Sequence, residues 1–340
     1  MKAKLLITIT LIVFIFYDGY SQYVHFSQFY ASPTILAPSF AGSTQNSRVV
    51  ANYRDQWPSI PGTFVTFAGS YDQNFYKINS GLGFLAVKDQ AGDGNLSRTD
   101  FGVMYSWYTP IVKRQKIYFR PGVQVKMTQR SLDFQKLIFG DQLPNPGNSS
   151  LEPVPDTRSF YLDATASVLI YSPQFWIGTT VDHLFTPNES LTGNDTPVGM
   201  KYSVFGGYKF YVGKATRRRA YAKDNRESLT ASFYYRLQDG SDQFDLGGYW
   251  NHDPFTLGAW IRGMPIISDN RNLDKKVNLD ALVFLVGYKI FNFTVGYSYD
   301  LTISDMLGAT GGAHEISLIY EFEAKVGRSK RHAVISCPKL

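Results

Sequence analysis

The residue types that most often carry chemistry are thinly spread through this chain. Its five histidines, His25, His183, His252, His314 and His332, stand far apart. No two share the spacing that would put a pair of imidazoles on one helical face to hold a metal. The stretch DQAGDGN, residues 89–95, brings Asp89, Asp93 and Asn95 together beside glycines. Oxygen ligands of this kind suit calcium, yet the run lacks the alternating ligands and the distal glutamate of an EF-hand loop. Lipid cleavage would need a serine, a histidine and an orienting group converging on one wall, and no motif here sets out that arrangement. No cofactor or metal is expected, and the chain reads as a non-enzyme. The lone cysteine, Cys337, excludes a disulfide within the chain.

A different kind of chemistry is offered by YRDQWP, residues 53–58. Tyr53, Arg54, Gln56 and Trp57 are of the types enriched where partners bind, which makes them candidates for a recognition surface. The same residues also suit a structural use, with Tyr53 and Trp57 in an aromatic belt at a membrane interface and Arg54 paired with Asp55 at a rim. Either use requires two flanking strands to present the cluster at their edge. The following SIPG permits a tight turn, since Gly62 tolerates a positive backbone angle.

The elements that must do this are legible. Lys2 and Lys4 precede an apolar run from Leu5 to Phe16 and then small residues, the order of a secretory signal peptide over 1–21, cleaved near Ser21. No later stretch approaches the about 18 uninterrupted apolar residues of a membrane helix. The full sequence is nevertheless 16% aromatic, with 29 Gly and 23 Tyr, a composition that fits an outer-membrane β-barrel. Period two supports this: Ile117, Phe119, Val123, Val125 and Met127 alternate with Tyr118, Arg120, Gln124, Lys126 and Thr128. A soluble sandwich also alternates, but charged residues inside ten-residue strands suit a lumen rather than a sandwich core.

About 14 such segments run from 47–53 to 314–322, predicting an all-β, antiparallel transmembrane barrel over 47–322 with an even strand number. Residues 22–46 form no clear strand and are expected to plug the lumen or lie beneath it, and 323–340 form a basic tail. Pro121 would force a bulge in its strand, and His314 beside Glu315 reads as a pair at the barrel mouth. If the first strand starts on the periplasmic side, the basic surplus collects there. It comprises Lys113 and Arg114, the cluster with Arg217, Arg218 and Arg219, and the tail residues Lys325, Arg328, Lys330 and Arg331, followed by Cys337 and Pro338. Such an underside would attract acidic lipid head groups, peptidoglycan carboxylates or an acidic protein. Nucleic acid is not an expected partner in this compartment.

Several stretches together, in order and spacing, carry a resemblance along nearly the whole mature chain: HFSQFYASPTILAPSFAG (25–42), NYRDQWP (52–58), GLGFLAVKDQAGDG (81–94), GYSYDLTIS (296–304), GGAHEISLIYEF (311–322) and the closing CPKL. With them the sequence resembles the PorP/SprF family of outer-membrane proteins of the Bacteroidota type IX secretion and gliding machinery. It departs at Ala37 and Ser39, where an Asn-Pro-Ala-like run is usual, and in ending on Leu340 rather than an aromatic. The resemblance implies a non-enzymatic barrel that anchors or helps export a secreted adhesin bearing a C-terminal sorting domain. Its other implied partners are periplasmic type IX subunits or peptidoglycan-linked proteins, with outer-membrane lipid around it. The competing expectation is a 14-stranded transporter or channel for hydrophobic solutes.

Overall fold

The computed structural model describes residues 26–28, 31–45, 47–62, 64–137, 142, 158–191, 195–212, 227–264, 279–303 and 308–322. Fifteen strands follow in order: β1 (Arg48–Gln56), β2 (Phe64–Phe75), β3 (Ser80–Ala91), β4 (Leu96–Trp107), β5 (Thr109–Val112), β6 (Ile117–Ser131), β7 (Arg158–Tyr171) and β8 (Phe175–Asp182). After these come β9 (Lys201–Tyr211), β10 (Ser228–Gln238), β11 (Ser241–His252), β12 (Phe255–Met264), β13 (Ala281–Ile290), β14 (Phe293–Thr302) and β15 (Ala313–Glu321). Apart from β4 and β5, chain neighbours pair antiparallel; β4 pairs instead with β6, and β15 returns to β1, so fourteen strands close a barrel. The short β5 only extends the edge of β6 beyond that ring.

Closure follows from the alternation, because every strand has one face that tolerates lipid and one that does not. Outward-facing Phe84, Phe101, Val103, Val125, Phe284 and Leu318 are exposed, while their inward neighbours Met104, Gln124, Val283, Leu285 and Ser317 are buried. An apolar outer band with a closed hydrogen-bond ladder is what a bilayer demands, since no backbone group is left unpaired at an open edge. The rim where β1 begins and β15 ends, called the terminal rim, has compact turns such as 76–79, 253–254 and 291–292. The strands joined by most long connections, β6 to β7, β8 to β9 and β12 to β13, have their facing ends at the opposite, distal rim. One short distal turn is Asp239-Gly240, both with positive φ, the pairing favoured in tight hairpins.

Two local expectations are corrected. Pro121 sits opposite Val168 with no register shift between β6 and β7. It lies where the other edge of β6 passes from β4, paired up to Gly122, to β5, paired from Phe119. A missing N–H is tolerated at such a break in the ladder. A bulge occurs instead in β11, between Phe244 and Leu246. His314 and Glu315 do not pair, because consecutive strand residues point to opposite faces: His314 meets the Tyr297 hydroxyl at 2.8 Å on the outside, and Glu315 is fully buried inside.

Between residues 26 and 45 the described chain runs inside the ring. Pro33 starts a single helical turn, α1 (Pro33–Leu36), at the position where its fixed φ fits and its missing N–H is not needed. Pro38 then opens a 3-10 turn, Pro38–Phe40. None of the described residues in this stretch is exposed. Leu36, Ala37 and Phe40 share one apolar cluster with Tyr108, Leu169, Trp176, Phe205, Tyr249, Trp260 and Leu285, which come from walls all around the barrel.

Candidate functional site

The densest polar constellation sits near the distal rim, where the N-terminal segment meets β1, β12, β14 and β15. Period two along β1 sends Tyr53 and Asp55 outward and turns Asn52 and Arg54 into the lumen, where both are buried. Register then sets Arg54 directly opposite Glu315. Its guanidinium bonds Glu315 Oε2 at 3.2 Å and Asp300 Oδ2 at 2.8 Å. Arg262 reaches the same Asp300 oxygen at 2.7 Å and holds Asp280 at 2.8 Å. Arg54 thus bridges the buried carboxylates Asp300 and Glu315, and Arg262 adds a second cation at Asp300, so none of these buried charges is left unpaired, where an unpaired ion would be prohibitive.

The N-terminal segment completes this clamp. Glu315 accepts the backbone N–H groups of Ser27 at 2.7 Å and Gln28 at 3.0 Å, one on each carboxylate oxygen. The Ser27 hydroxyl donates to Asp300 at 2.6 Å and accepts from Arg54 and Arg262, both at 2.9 Å. The Gln28 amide spans from Ser298 Oγ at 3.0 Å to the Glu315 carbonyl at 2.9 Å. Hydrogen bonds to charged groups are the strong ones, so this dipeptide is held by its chemistry as well as its shape.

A second anchorage lies toward the terminal rim. Arg48 pairs with Asp72 at 2.9 Å, and the other oxygen of Asp72 accepts the Gly42 N–H at 2.9 Å. Fully buried Arg120 donates to the Ala41 carbonyl at 2.5 Å, as does Ser106 at 2.8 Å. The walls here are shaped by missing side chains. A Cβ on Gly81 would land on the Ala41 carbonyl, and one on Gly122 would land on the backbone of Pro38 and Ser39. Gly42 itself has a positive φ of 65° and lies tight against the Gln73 carbonyl, a conformation and an approach that suit glycine.

Across the lumen from the clamp, a third polar wall joins β6, β7, β8 and β9. Asp163 binds His183 Nδ1 at 2.6 Å and Lys126 at 3.1 Å, Lys201 pairs with Asp182 at 2.9 Å, and Arg130 with Glu189 at 3.0 Å. His183, just beyond β8, has a positive φ and is buried. Burial pushes its imidazole below the ordinary value, against the opposing pull of Asp163. Asp89 of the DQAGDGN stretch binds the Thr66 hydroxyl at 2.6 Å. Among the described residues no group of three His, Cys, Asp or Glu side chains is placed to hold a metal.

The YRDQWP cluster is therefore divided. Arg54 pairs with Asp300 and Glu315, not with Asp55, which corrects the expected rim pair. Gln56 accepts from Arg54 at 3.4 Å, whereas Tyr53 packs on Phe67 with ring centroids 5.0 Å apart and Trp57 on Phe64 at 5.7 Å. Lys113 and Arg114 are exposed in the turn between β5 and β6. Arg217, Arg218, Arg219, Lys325, Arg328, Lys330, Arg331, Cys337 and Pro338 lie outside the described residues. Sequence reasoning missed Ser27, Gln28, Arg262 and Asp300 and gave Glu315 the wrong partner; the available signal was a charge at an inward position of each of four strands.

Fold and site together define a membrane β-barrel whose lumen is occupied by its own N-terminal segment. The chain matches the family described as type IX secretion system membrane protein PorP/SprF over residues 18–320, and it belongs to that family. A search of curated proteins gives no match. Among solved structures, a Pseudomonas aeruginosa FadL homologue is similar at 12% identity and TM-score 0.44, covering 86% of this chain and 94% of that one. A triple mutant of Rhodopseudomonas blastica porin is similar at 8% identity and TM-score 0.35, covering 82% of this chain and 99% of that one.

Proposed function

We propose that this protein is an outer-membrane component of type IX secretion that anchors or helps export a secreted adhesin bearing a C-terminal sorting domain. The observation that carries this reading is membership of the PorP/SprF family along almost the whole chain. In this reading the long distal connections face outward and receive the cargo. The terminal rim faces the periplasm, where exposed Lys113 and Arg114, the 214–226 cluster and the basic tail meet acidic groups of the secretion machinery or peptidoglycan. Tyr53 and Trp57, on the outer face near the distal rim, serve the aromatic belt or the cargo contact.

The occupied lumen supports this assignment over uptake of hydrophobic solutes. Leu36, Ala37 and Phe40 fill the apolar middle of the barrel, and the distal half is lined by ion pairs rather than by a greasy channel. The test is a pull-down of the tagged protein from gently solubilised outer membranes, comparing the full chain with one ending at Phe322. Recovery of a sorting-domain protein, and of type IX subunits that disappear on truncation, is the expected result. A heat-modifiable barrel that comes down alone in both forms would overturn the proposal.

A further inference from the structure

Two turns of the terminal rim, 76–79 between β2 and β3 and 113–116 between β5 and β6, carry Lys77, Lys113, Arg114 and Lys116. All four are exposed, and none is paired with a carboxylate among the described residues. The neighbouring chain supplies none, since residues 73–88 and 101–132 contain no Asp or Glu. The turns are also tied together, because the Tyr108 N–H donates to the Asn79 carbonyl at 2.9 Å just before β5 begins. Beside the cations stand Ile78, Ile111 and Val112, all exposed, Ile78 at 63%. These three extend the outer apolar band, whose nearest members are Leu82, Tyr105 and Trp107 on the paired strands β3 and β4.

A protein partner could use this hairpin by adding a strand to β5, which pairs with β6 alone among the described strands. That edge is blunted: Pro110 lacks an N–H, and the register shifts between Pro110 and Val112, both devices that discourage strand addition. What the hairpin offers is its face, apolar where it continues the lipid-facing band and cationic at its tip. Lysine and arginine lay their stems along apolar surface while the charged ends reach the membrane interface, and an anionic membrane surface favours each such cation. We propose that these two turns anchor anionic phospholipid in the leaflet at the terminal rim, with Ile78, Ile111 and Val112 at the acyl boundary and the four cations on the phosphate groups. This part of the rim is then assigned to lipid, leaving the 214–226 cluster and the tail to the secretion machinery. The assignment stands on the barrel's place in a bilayer and holds or fails without any secretion partner.

The experiment is tryptophan quenching of the purified full-length protein in vesicles of phosphatidylcholine and phosphatidylglycerol, with one or the other lipid brominated. Trp107 lies directly before Tyr108 and is exposed on the outer face, so it reports on lipid beside the turns. Subtracting the signal of a Trp107→Phe form removes the other tryptophans. Wild type is expected to be quenched more strongly by brominated phosphatidylglycerol, corresponding to an enrichment of about fivefold or more, and to lose that preference in 1 M potassium chloride, a concentration of about 3 Å Debye length. The quadruple variant Lys77→Gln, Lys113→Gln, Arg114→Gln, Lys116→Gln is expected to be quenched equally by the two lipids. Retention of the heat-dependent shift in electrophoretic mobility shows that each form is a closed barrel. Equal quenching of the wild type by both lipids overturns the proposal, as does a preference that survives in the folded quadruple variant.

Discussion

Arg54 of the first strand and Glu315 of the last face each other directly across the seam that closes the barrel, with Nη1 and Oε2 3.2 Å apart. The seam is thus joined inside by an ion pair as well as by its backbone ladder. Asn52 adds a second inward link, donating to Ser317 Oγ at 2.6 Å.

Replacing Arg54 with alanine leaves Asp300 and Glu315 sharing a buried site with Arg262 alone. The expected loss is about 3–5 kcal/mol, the usual result of breaking one side of a buried pair. The double variant Arg54→Met, Glu315→Leu is expected to lose less than the two single changes combined. Urea midpoints followed by the electrophoretic shift, arranged as a double-mutant cycle, measure both.

Gly122→Ala is expected to drive the lumenal segment away from the wall, because its new methyl group meets the backbone of Pro38 and Ser39. Overpacking of this kind costs about 1–3 kcal/mol. Gly69→Ala, with nothing within 4 Å of its added Cβ, is expected to behave as wild type. Limited proteolysis of residues 26–44 in detergent separates the two outcomes.

Acidification is expected to weaken the wall around His183. Its folded-state value lies below the unfolded one, so the neutral imidazole's contribution is fully present above the ordinary value of about 6.5 and is lost as pH falls below it. Lys126 and Lys201 face the same group and oppose its protonation, while Asp163 favours it. Stability measured from pH 8 to pH 5 should fall with decreasing pH, and His183→Gln should flatten that dependence.

Val125→Arg tests the outer band. The valine lies near the middle of β6 and is 55% exposed, a position where a soluble protein would accept arginine at little cost. In a bilayer the expected penalty is about 2–4 kcal/mol, read as a lower urea midpoint in lipid vesicles.

The barrel was legible because alternation is a local property. Residues 117–127 announce which face meets lipid without any knowledge of their neighbours, and the same holds for β7, β10 and β15. The interior partners were not, because they depend on register. Arg54 and Glu315 are 261 residues apart, and the assumption that Arg54 pairs with its sequence neighbour Asp55 fails for the very reason the barrel could be read. The lumenal segment carries no period of its own. Prolines and small residues from 31 to 42 take their conformation from the cavity wall, and Gly81 and Gly122, absent side chains rather than present ones, help mark where it lies.

The clamp also dictates when the protein is finished. Ser27 is bonded to Glu315 across 288 residues, so some of the earliest described residues wait for the last strand before they find a partner. Contacts of such long range form slowly and late. A chain that stalled before β15 would lack both the second edge of the seam and the carboxylate that receives Ser27 and Gln28. Completion of the ring and capture of the Ser27–Gln28 end of the segment are therefore one event.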